Sequence, residues 1–322
     1  MESRHSRGGE VERLERMGDT EGMRNRLGVL LFGLMLVPSA VLAKTTEPML
    51  KEQAAAAPAM GNLYASAVIY DMKSGKELYK ANPNLPWSAA SLTKLMGALV
   101  AIDQKPNWNR IVSILKADEV GGGRLRVDSG STLSLQDVLF SSIVGSANNA
   151  AMALARTSGL SSKAFIAAMN KKAKALGMTH STFADPAGMD PANIVTAEDL
   201  VKLAKAAFST PIIQKAASTP TYSFVVRNYQ YRHTIKNTDH LLTMDPDVYV
   251  LGGKTGFLNE ARNNLIVELR GNDPVTQPTL LVVVLGAPNE NQMFGTAKGL
   301  AEWAWKAYSW PSAQVHTALT TK

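Results

Sequence analysis

The sequence predicts an α/β fold in which strands from both ends of the chain pair around a helical region. Residues 66–80 and 248–285 contain short apolar runs bounded by turn residues, which is the pattern of strands, whereas residues 92–208 are mostly helical in spacing. The chain has 322 residues, 45% hydrophobic and 19% charged, as is typical of a globular protein. Because strands that pair around inserted helices share one core, we expect a single domain rather than two.

The amino terminus has the layout of a secretory signal peptide. Residues 27–37 read LGVLLFGLMLV, an apolar run too short to cross a bilayer, and Arg24 and Arg26 precede it. Small residues follow and end at Ala43, which predicts cleavage after that residue. We therefore expect residues 1–43 to be removed during export across the inner membrane to the periplasm; an uncleaved anchor is the alternative.

Residues 1–22 do not fit this layout. They mix acidic and basic side chains, unlike the positively charged start of a signal peptide. Met23 opens the stretch MRNRLGVLL, and we expect it to be the true translation start. Either start gives the same mature chain, because cleavage after Ala43 removes both.

The mature chain divides into a linker, a domain and a short tail. Residues 44–62 are rich in alanine and proline, which predicts a linker before a domain at 63–312 and a tail at 313–322. Strands are expected at 66–71, 76–80, 222–226, 248–257, 265–269 and 280–285. Helices are expected at 92–102, 133–140, 147–155, 163–176, 196–208 and 292–310. Two pairs have the spacing of helix caps: Ser134 with Asp137, and Thr196 with Asp199.

Composition narrows the function classes. The absence of cysteine excludes disulfides, thiol nucleophiles and cysteine-bound metals. The net charge of +7 indicates an anionic partner such as a cell-wall polymer or an anionic lipid, with simple solubility as the alternative. Because no basic stretch is interleaved with aromatic residues, no nucleic-acid partner is expected.

Histidine is the commonest general base, but the histidines here do not form a catalytic pattern. The chain has 5 of them: His5, His180, His233, His240 and His316. None lies in a metal-binding spacing, and His233 and His240 fall where strand and loop signals dominate. We therefore expect structural histidines, no metal and no cofactor.

Lysine can replace histidine as the base of a serine hydrolase when burial and positive charge lower its pKa. Two Ser-x-x-Lys tetrads occur, one starting at Ser91 and ending at Lys94, the other starting at Ser113 and ending at Lys116. The first opens a predicted helix, where residues three apart share a face. The second lies in a predicted strand, where such residues point to opposite faces.

Two more motifs follow in the chain. Ser146 and Asn148 lie between two helical runs, where a hydroxyl and an amide can relay a proton and bind substrate. Lys254, Thr255 and Gly256 lie in a predicted strand, where the lysine can act as an electrostatic anchor and the glycine admits a substrate backbone. Singly, a helix cap at Ser146 or a solvated lysine at 254 would explain these residues.

Together the three motifs are the set known from penicillin-binding proteins and class A β-lactamases. The chain resembles the low-molecular-mass penicillin-binding proteins, which are D-alanyl-D-alanine peptidases, over roughly residues 63–310. The likeness also includes the segments 66–83, 177–190, 196–206 and 237–242. It implies a β-lactamase/transpeptidase-like fold, with an antiparallel sheet flanked by helices and an inserted helical subdomain.

The resemblance implies a role for each motif residue. Ser91 is the nucleophile that becomes acylated, and Lys94 is the base. Ser146 and Asn148 complete the proton network and contact substrate. Lys254 is the electrostatic anchor.

The strand after Lys254 is implied to bind the substrate. Thr255 and Phe257 dock the peptide, and Gly256 lets it approach the strand edge. The oxyanion hole would be formed by the N–H groups of Ser91 and Phe257, an element that stabilises a transition state by about 3–4 kcal/mol. The chain departs from the family where Arg262 stands in place of a usual glycine, which affects specificity more than chemistry.

The resemblance covers several activities. Only 66 residues follow Gly256, too few for the second domain of many carboxypeptidases, so we expect an endopeptidase that cuts peptidoglycan cross-links and is inhibited by β-lactams. The alternatives are a D-alanyl-D-alanine carboxypeptidase, a serine β-lactamase and a non-catalytic penicillin-binding sensor. A Glu-x-x-Leu-Asn-like segment, which would supply the deacylating base of a class A β-lactamase, is absent between Ser146 and Lys254.

Aromatic residues near the carboxyl terminus allow at most peripheral membrane association. They are Trp303, Trp305, Tyr308 and Trp310. They could form a membrane belt, but packing of the last helix on the sheet is the favoured explanation.

Overall fold

The computed structural model describes residues 47–59 and 61–311, so the predicted signal peptide and the whole predicted tail lie outside the described residues. The strands are β1 Met49–Leu50, β2 Ser66–Asp71, β3 Glu77–Ala81, β4 Trp87–Ser88, β5 Ile111–Ser113, β6 Thr132–Ser134, β7 Ile194–Val195, β8 Thr221–Val226, β9 Tyr231–Lys236, β10 Val248–Leu258, β11 Arg262–Gly271, β12 Leu280–Ala287 and β13 Tyr308–Ser309. The helices are α1 Thr93–Asp103, α2 Leu135–Ile143, α3 Asn148–Arg156, α4 Ser162–Ala175, α5 Ala197–Phe208, α6 Pro211–Ala217, α7 His240–Met244 and α8 Glu290–Ala307.

Strands from both ends of the domain form one antiparallel sheet of five strands, in the order β10-β11-β12-β2-β3. The pairing of β12 with β2 places Leu281 opposite Tyr70, which confirms that terminal strands pair across the helical region. β10 lies at an edge of this sheet, so one side of its backbone is free of a neighbouring strand.

Both faces of the sheet are covered by helices. Along β12, Leu281 and Val283 belong to the core shared with the helical region, including α1 and α5. Leu280 and Val282 belong to the core shared with α8. Because successive strand residues face opposite sides, the unbroken apolar run of β12 feeds two cores and predicts a strand buried on both faces.

The predicted caps fix where two of the helices begin. The Ser134 side chain accepts from the Asp137 N–H at the start of α2, and the Asp137 carboxylate accepts from Ser134 in return. The Thr196 side chain accepts from the Asp199 N–H at the start of α5. The helix predicted at 133–140 therefore begins at Leu135, because Ser134 is its cap.

The ends of the mature domain pair with each other, which the sequence analysis did not anticipate. The segment expected to be a linker contains β1, which pairs with β13 through Met49 opposite Ser309 and Leu50 opposite Tyr308. The helix predicted to reach Trp310 therefore ends at Ala307. Two-residue strands have no periodicity, so only the tertiary pairing identifies them.

The aromatic residues near the carboxyl terminus pack on the domain. Each donates a hydrogen bond to a protein oxygen at 2.8–3.2 Å, with acceptors on Ala55, Pro278, Leu78 and Asp71. These bonds favour the packing explanation over a membrane belt. Within the described residues, no helix is long and apolar enough to cross a membrane.

Candidate active site

Ser91 lies in a 3-10 turn, Ala90–Leu92, that leads into α1. Lys94 is in the first turn of α1 and is 1% exposed. Its Nζ lies 2.7 Å from the Ser91 Oγ. The predicted helical spacing of this tetrad is therefore confirmed, since the turn places both side chains on one face.

Lys94 has two further contacts. Its Nζ donates to the Asn148 Oδ1 at 2.7 Å and to the Ala187 carbonyl oxygen at 2.5 Å. Burial lowers the pKa of Lys94 well below its ordinary value, and the positive charge of Lys254 lowers it further. A neutral amine has two N–H donors and one lone pair. With both donors used, the lone pair is left for the Ser91 O–H, which is the arrangement of a general base.

Asn148 is held with its oxygen toward Lys94. Its Nδ2 donates to the Gly121 carbonyl oxygen at 2.8 Å and to the Met189 Sδ at 2.9 Å. Both donors of the amide are thus used on one side, and only Oδ1 remains for the lysine.

The loop that carries the Ala187 carbonyl is organised by a carboxylate. Asp185 Oδ1 accepts from the N–H groups of Ala187 and Gly188 at 2.6 and 2.7 Å. Its Oδ2 accepts from Asp190 and Asn193 at 2.6 and 2.8 Å. Gly188 has φ +78°, and a Cβ there would lie 1.9 Å from a backbone oxygen of the nucleophile turn. The sequence analysis found residues 177–190 similar to the family but assigned no role to Asp185.

Lys254 forms the second buried lysine site. It is 1% exposed, and its Nζ donates to the Ser146 Oγ and to the Thr255 carbonyl oxygen, both at 2.7 Å. Burial lowers the pKa of Lys254 to about 7, and the Asp239 carboxylate opposes that shift. Ser146 has φ +52°, a left-handed backbone that turns its hydroxyl toward the strand before α3 begins.

Gly256 is required by its closeness to the nucleophile. A Cβ at this position would lie 3.0 Å from the Ala89 carbonyl oxygen and 3.2 Å from the Ser91 backbone nitrogen. Any side chain here would cover the Ser91 amide, which is one of the two expected oxyanion donors. The glycine therefore keeps the space in front of that N–H open.

All eight predicted residues meet at one cleft of about 410 Å³. Six line it directly: Ser91, Ser146, Asn148, Thr255, Gly256 and Phe257. The two lysines lie behind Ser91 and Ser146 and contact them. Phe257 is 60% exposed and presents an aromatic face at the rim.

The residues set aside by sequence reasoning lie elsewhere. Ser113 is on β5, outside the lining of the cleft, and its carbonyl oxygen accepts from Arg156. His233 is on β9 beside Phe224, and His240 stacks on Phe294 with ring centroids 4.9 Å apart. Within residues 47–59 and 61–311, no group of three His, Asp or Glu side chains is placed to hold a metal ion.

Two contributors to this region were missed. Thr238 lines the cleft, and its Oγ1 lies 2.6 Å from the Thr255 Oγ1. Asp239 is fully buried next to it. Both lie in the segment 237–242, but their link to the catalytic strand depends on tertiary contacts that spacing does not reveal.

The fold and the serine–lysine pair define the class of serine-type, penicillin-binding peptidases. A model of the D-alanyl-D-alanine carboxypeptidase family matches residues 51–289, and the chain belongs to that family.

The chain has close relatives and structural neighbours in this family. It is 35% identical to a D-alanyl-D-alanine endopeptidase of Pseudomonas aeruginosa, over 87% of this chain and 89% of the relative. It is also 35% identical to a D-alanyl-D-alanine endopeptidase of Escherichia coli, over 74% of this chain and 76% of the relative. The crystal structure of a D-alanyl-D-alanine carboxypeptidase from Mycobacterium tuberculosis matches 82% of this chain and 100% of that chain, with a TM-score of 0.70 and 25% identity.

Proposed function

We propose that this protein is a D-alanyl-D-alanine endopeptidase that cleaves peptidoglycan cross-links through an acyl-enzyme on Ser91. The contact between the Ser91 Oγ and the Lys94 Nζ at 2.7 Å carries the proposal, because the other two partners of Lys94 leave its lone pair for the serine proton. The names of the relatives above favour the endopeptidase activity.

Acylation begins when Lys94 accepts the Ser91 proton and Oγ attacks the carbonyl carbon of the scissile D-alanyl bond. The negative charge that develops on the carbonyl oxygen is stabilised by the N–H groups of Ser91 and Phe257. The C–N bond then breaks, and the proton passes from Lys94 through the Ser146 hydroxyl to the leaving amine. Lys254, which donates to Ser146, orients that hydroxyl for the transfer.

Deacylation uses the same base, with water in place of Ser91 as the nucleophile. Water attacks the ester carbonyl, Lys94 accepts its proton, and Ser91 recovers a proton when the acid product leaves. The enzyme is then unchanged, and one peptide bond has been hydrolysed.

The substrate peptide binds along the free edge of β10 as an added extended strand. Edge strands offer unpaired N–H and C=O groups that such a peptide can use. The cleft continues beyond Phe257 past Leu258 and Asn259 to Glu290, so it extends past the residues around the nucleophile along the course proposed for the peptide. Inhibition by β-lactams follows from acylation of the same serine.

We place the mature enzyme in the periplasm, after cleavage of a signal peptide behind Ala43, with peptidoglycan stems as its substrates. The catalytic domain is proposed to span residues 63–312. Within the segment expected to be a linker, residues 49–50 pair with β13. Membrane association is peripheral at most.

The test is digestion of a purified cross-linked muropeptide dimer by the exported protein, followed by mass spectrometry. Two monomers are expected, and Ser91→Ala should give none, while Ser113→Ala should match the wild type. Release of D-alanine from a monomeric pentapeptide without dimer cleavage would make the protein a carboxypeptidase, the activity that the family description favours. Rapid turnover of penicillin with neither peptide reaction would make it a β-lactamase, and penicillin binding without turnover would make it a sensor.

A further inference from the structure

Asp239 has a buried carboxyl group that the mechanism above does not use. The residue is 0% exposed and precedes α7, where its Oδ1 accepts from the Leu241 N–H at 2.9 Å. Its Oδ2 has no hydrogen-bond partner among the described residues. Helix capping requires only one of the two oxygens, so capping does not explain why the second is held in the interior.

The unpartnered oxygen lies against the back of the catalytic strand. A Cβ on Gly253 would lie 2.1 Å from the Asp239 Oδ2, so any side chain at this position would displace the carboxylate. Successive side chains of a strand face opposite sides. The Asp239 carboxylate therefore lies on one face of β10, and the Lys254 side chain leaves the strand on the other face.

The same segment is fastened to both halves of the site. The Thr238 N–H donates to the Val144 carbonyl oxygen at 3.2 Å, two residues before Ser146. The Thr238 hydroxyl lies 2.6 Å from that of Thr255. Asp239 is thus fixed relative to both partners of Lys254.

Few other charges act on Lys254. Burial lowers the pKa of Lys254, and Asp239 opposes that shift. The positive charge of Lys254 lowers the pKa of Lys94, while Asp185 raises it. Other charged groups on the surrounding elements are paired, exposed or on another strand. Lys298 on α8 pairs with Asp245 and Asp247, and Glu268 on β11 lies opposite Gly252. Lys215 on α6 is exposed, as are Glu260 and Glu290 at the cleft, and His240 stacks on Phe294. Asp239 is therefore the counter-charge of Lys254.

We propose that Asp239 is a positioning residue that keeps Lys254 protonated while Ser91 is acylated. The inference rests on the proposed function, since it assumes that charged Lys254 orients Ser146. Burial raises the pKa of Asp239 to about 6, and the positive charge of Lys254 opposes that shift. Above this pH Asp239 is ionised, and Lys254 keeps its proton to higher pH than burial alone permits. A charged Lys254 in turn holds Lys94 neutral.

The test is Asp239→Asn, which keeps an oxygen for the Leu241 cap and removes the charge. The second-order rate of acylation by a fluorescent penicillin is measured between about pH 5 and pH 9. The alkaline limb of the profile should move to lower pH by about one unit, as expected for loss of one nearby opposite charge. The rate should then fall about tenfold near pH 8 but only about twofold near pH 6.

Asp199→Asn is the matched control, because Asp199 is also 0% exposed and accepts hydrogen bonds but is paired with Lys202 rather than with a lysine of the site. It should lower thermal stability without moving the alkaline limb. Asp239→Ser, which also caps without charge, should repeat the shift and avoids burying an unpaired amide N–H.

The outcomes separate this inference from the proposed function. A profile of Asp239→Asn that matches the wild type, or one lowered equally at every pH, would overturn the role of Asp239 alone. Failure of the wild type to be labelled at Ser91 would overturn both.

Discussion

Lys94 and Lys254 are both 1% exposed, yet their surroundings give them different tasks. Burial lowers the pKa of both, but the second cation also acts against Lys94, whereas Asp239 acts in favour of charge on Lys254. The carboxylates that act on them differ too. Asp185 already accepts four hydrogen bonds from its own loop, while Asp239 keeps one oxygen unpartnered.

The comparison shows that the charges around two equally buried lysines separate their pKa values. Asp185 favours charge on Lys94, but burial and the positive charge of Lys254 outweigh it. Asp239 favours charge on Lys254, whose pKa is lowered by burial to about 7. Two groups of one chemical type with separated pKa values are the usual arrangement of paired acid and base sites.

Replacing each lysine by arginine should give the largest effect. Arginine remains charged at all working pH values. Lys94→Arg should therefore lower the rate of acylation by about 10²–10⁴-fold, the contribution typical of a general base. Lys254→Arg keeps the charge and should lose less than about 10²-fold. Labelling kinetics with a fluorescent penicillin measures both.

An equal loss in the two arginine variants would contradict the division of roles. Circular dichroism of each variant should match the wild type, so that a folding defect is not mistaken for a chemical one. Lys116→Arg, in the tetrad that lies outside the cleft, is the control and should be labelled like the wild type.

The pH dependence of stability gives a second, smaller effect. The pKa of Lys254 is lowered to about 7 in the folded protein, while the unfolded chain keeps the ordinary value of 10.5. Between these values the unfolded state binds more protons, so the free energy of unfolding rises with pH, by up to about 1.4 kcal/mol per unit for this group. Below the folded pKa both states are protonated and this slope vanishes.

Lys254→Met removes one of the two buried lysines and should lower the slope by up to about 1.4 kcal/mol per unit, leaving the contribution of Lys94. Urea unfolding at several values between about pH 7 and pH 10 measures the difference. Lys202→Met is a suitable control, because Lys202 is paired with Asp199 near the surface and should leave the slope unchanged. A slope that is the same in wild type and Lys254→Met would show that Lys254 titrates normally in the folded protein.

The sequence predicted the residues of the cleft better than the residues and strands that hold them in place. Ser91 and Lys94 could be assigned because helical spacing is local, and the strand of Thr255 because its apolar neighbours are contiguous. Asp185 could not, since its partners are backbone amides of its own loop. Asp239 could not, because its contact with Gly253 joins two elements that no periodicity relates. The strands β1 and β13 could not, because two residues carry no pattern.

The smallest expected effect concerns the turn after the catalytic strand. Arg262 has φ +53° and follows the three-residue loop from Asn259 to Ala261 that joins β10 to β11. Hairpins with such loops favour glycine at the left-handed position. The resemblance also led us to expect glycine here, so the structure shows that the turn keeps its shape with arginine.

Arg262→Gly should raise the free energy of unfolding by about 0.5–1 kcal/mol. The left-handed conformation costs an L-residue about 1–2 kcal/mol, and the greater freedom of glycine in the unfolded chain offsets part of the gain. Arg262→Ala keeps the Cβ and should show no gain, which makes it the matched control. Urea midpoints measure the difference in stability. The rate of acylation should stay within about twofold of wild type, because the Trp87 Nε1 donates to the Ala261 carbonyl oxygen at 2.8 Å and holds the rim independently. Equal stability of the Gly and Ala variants would show that the turn stores no strain at Arg262.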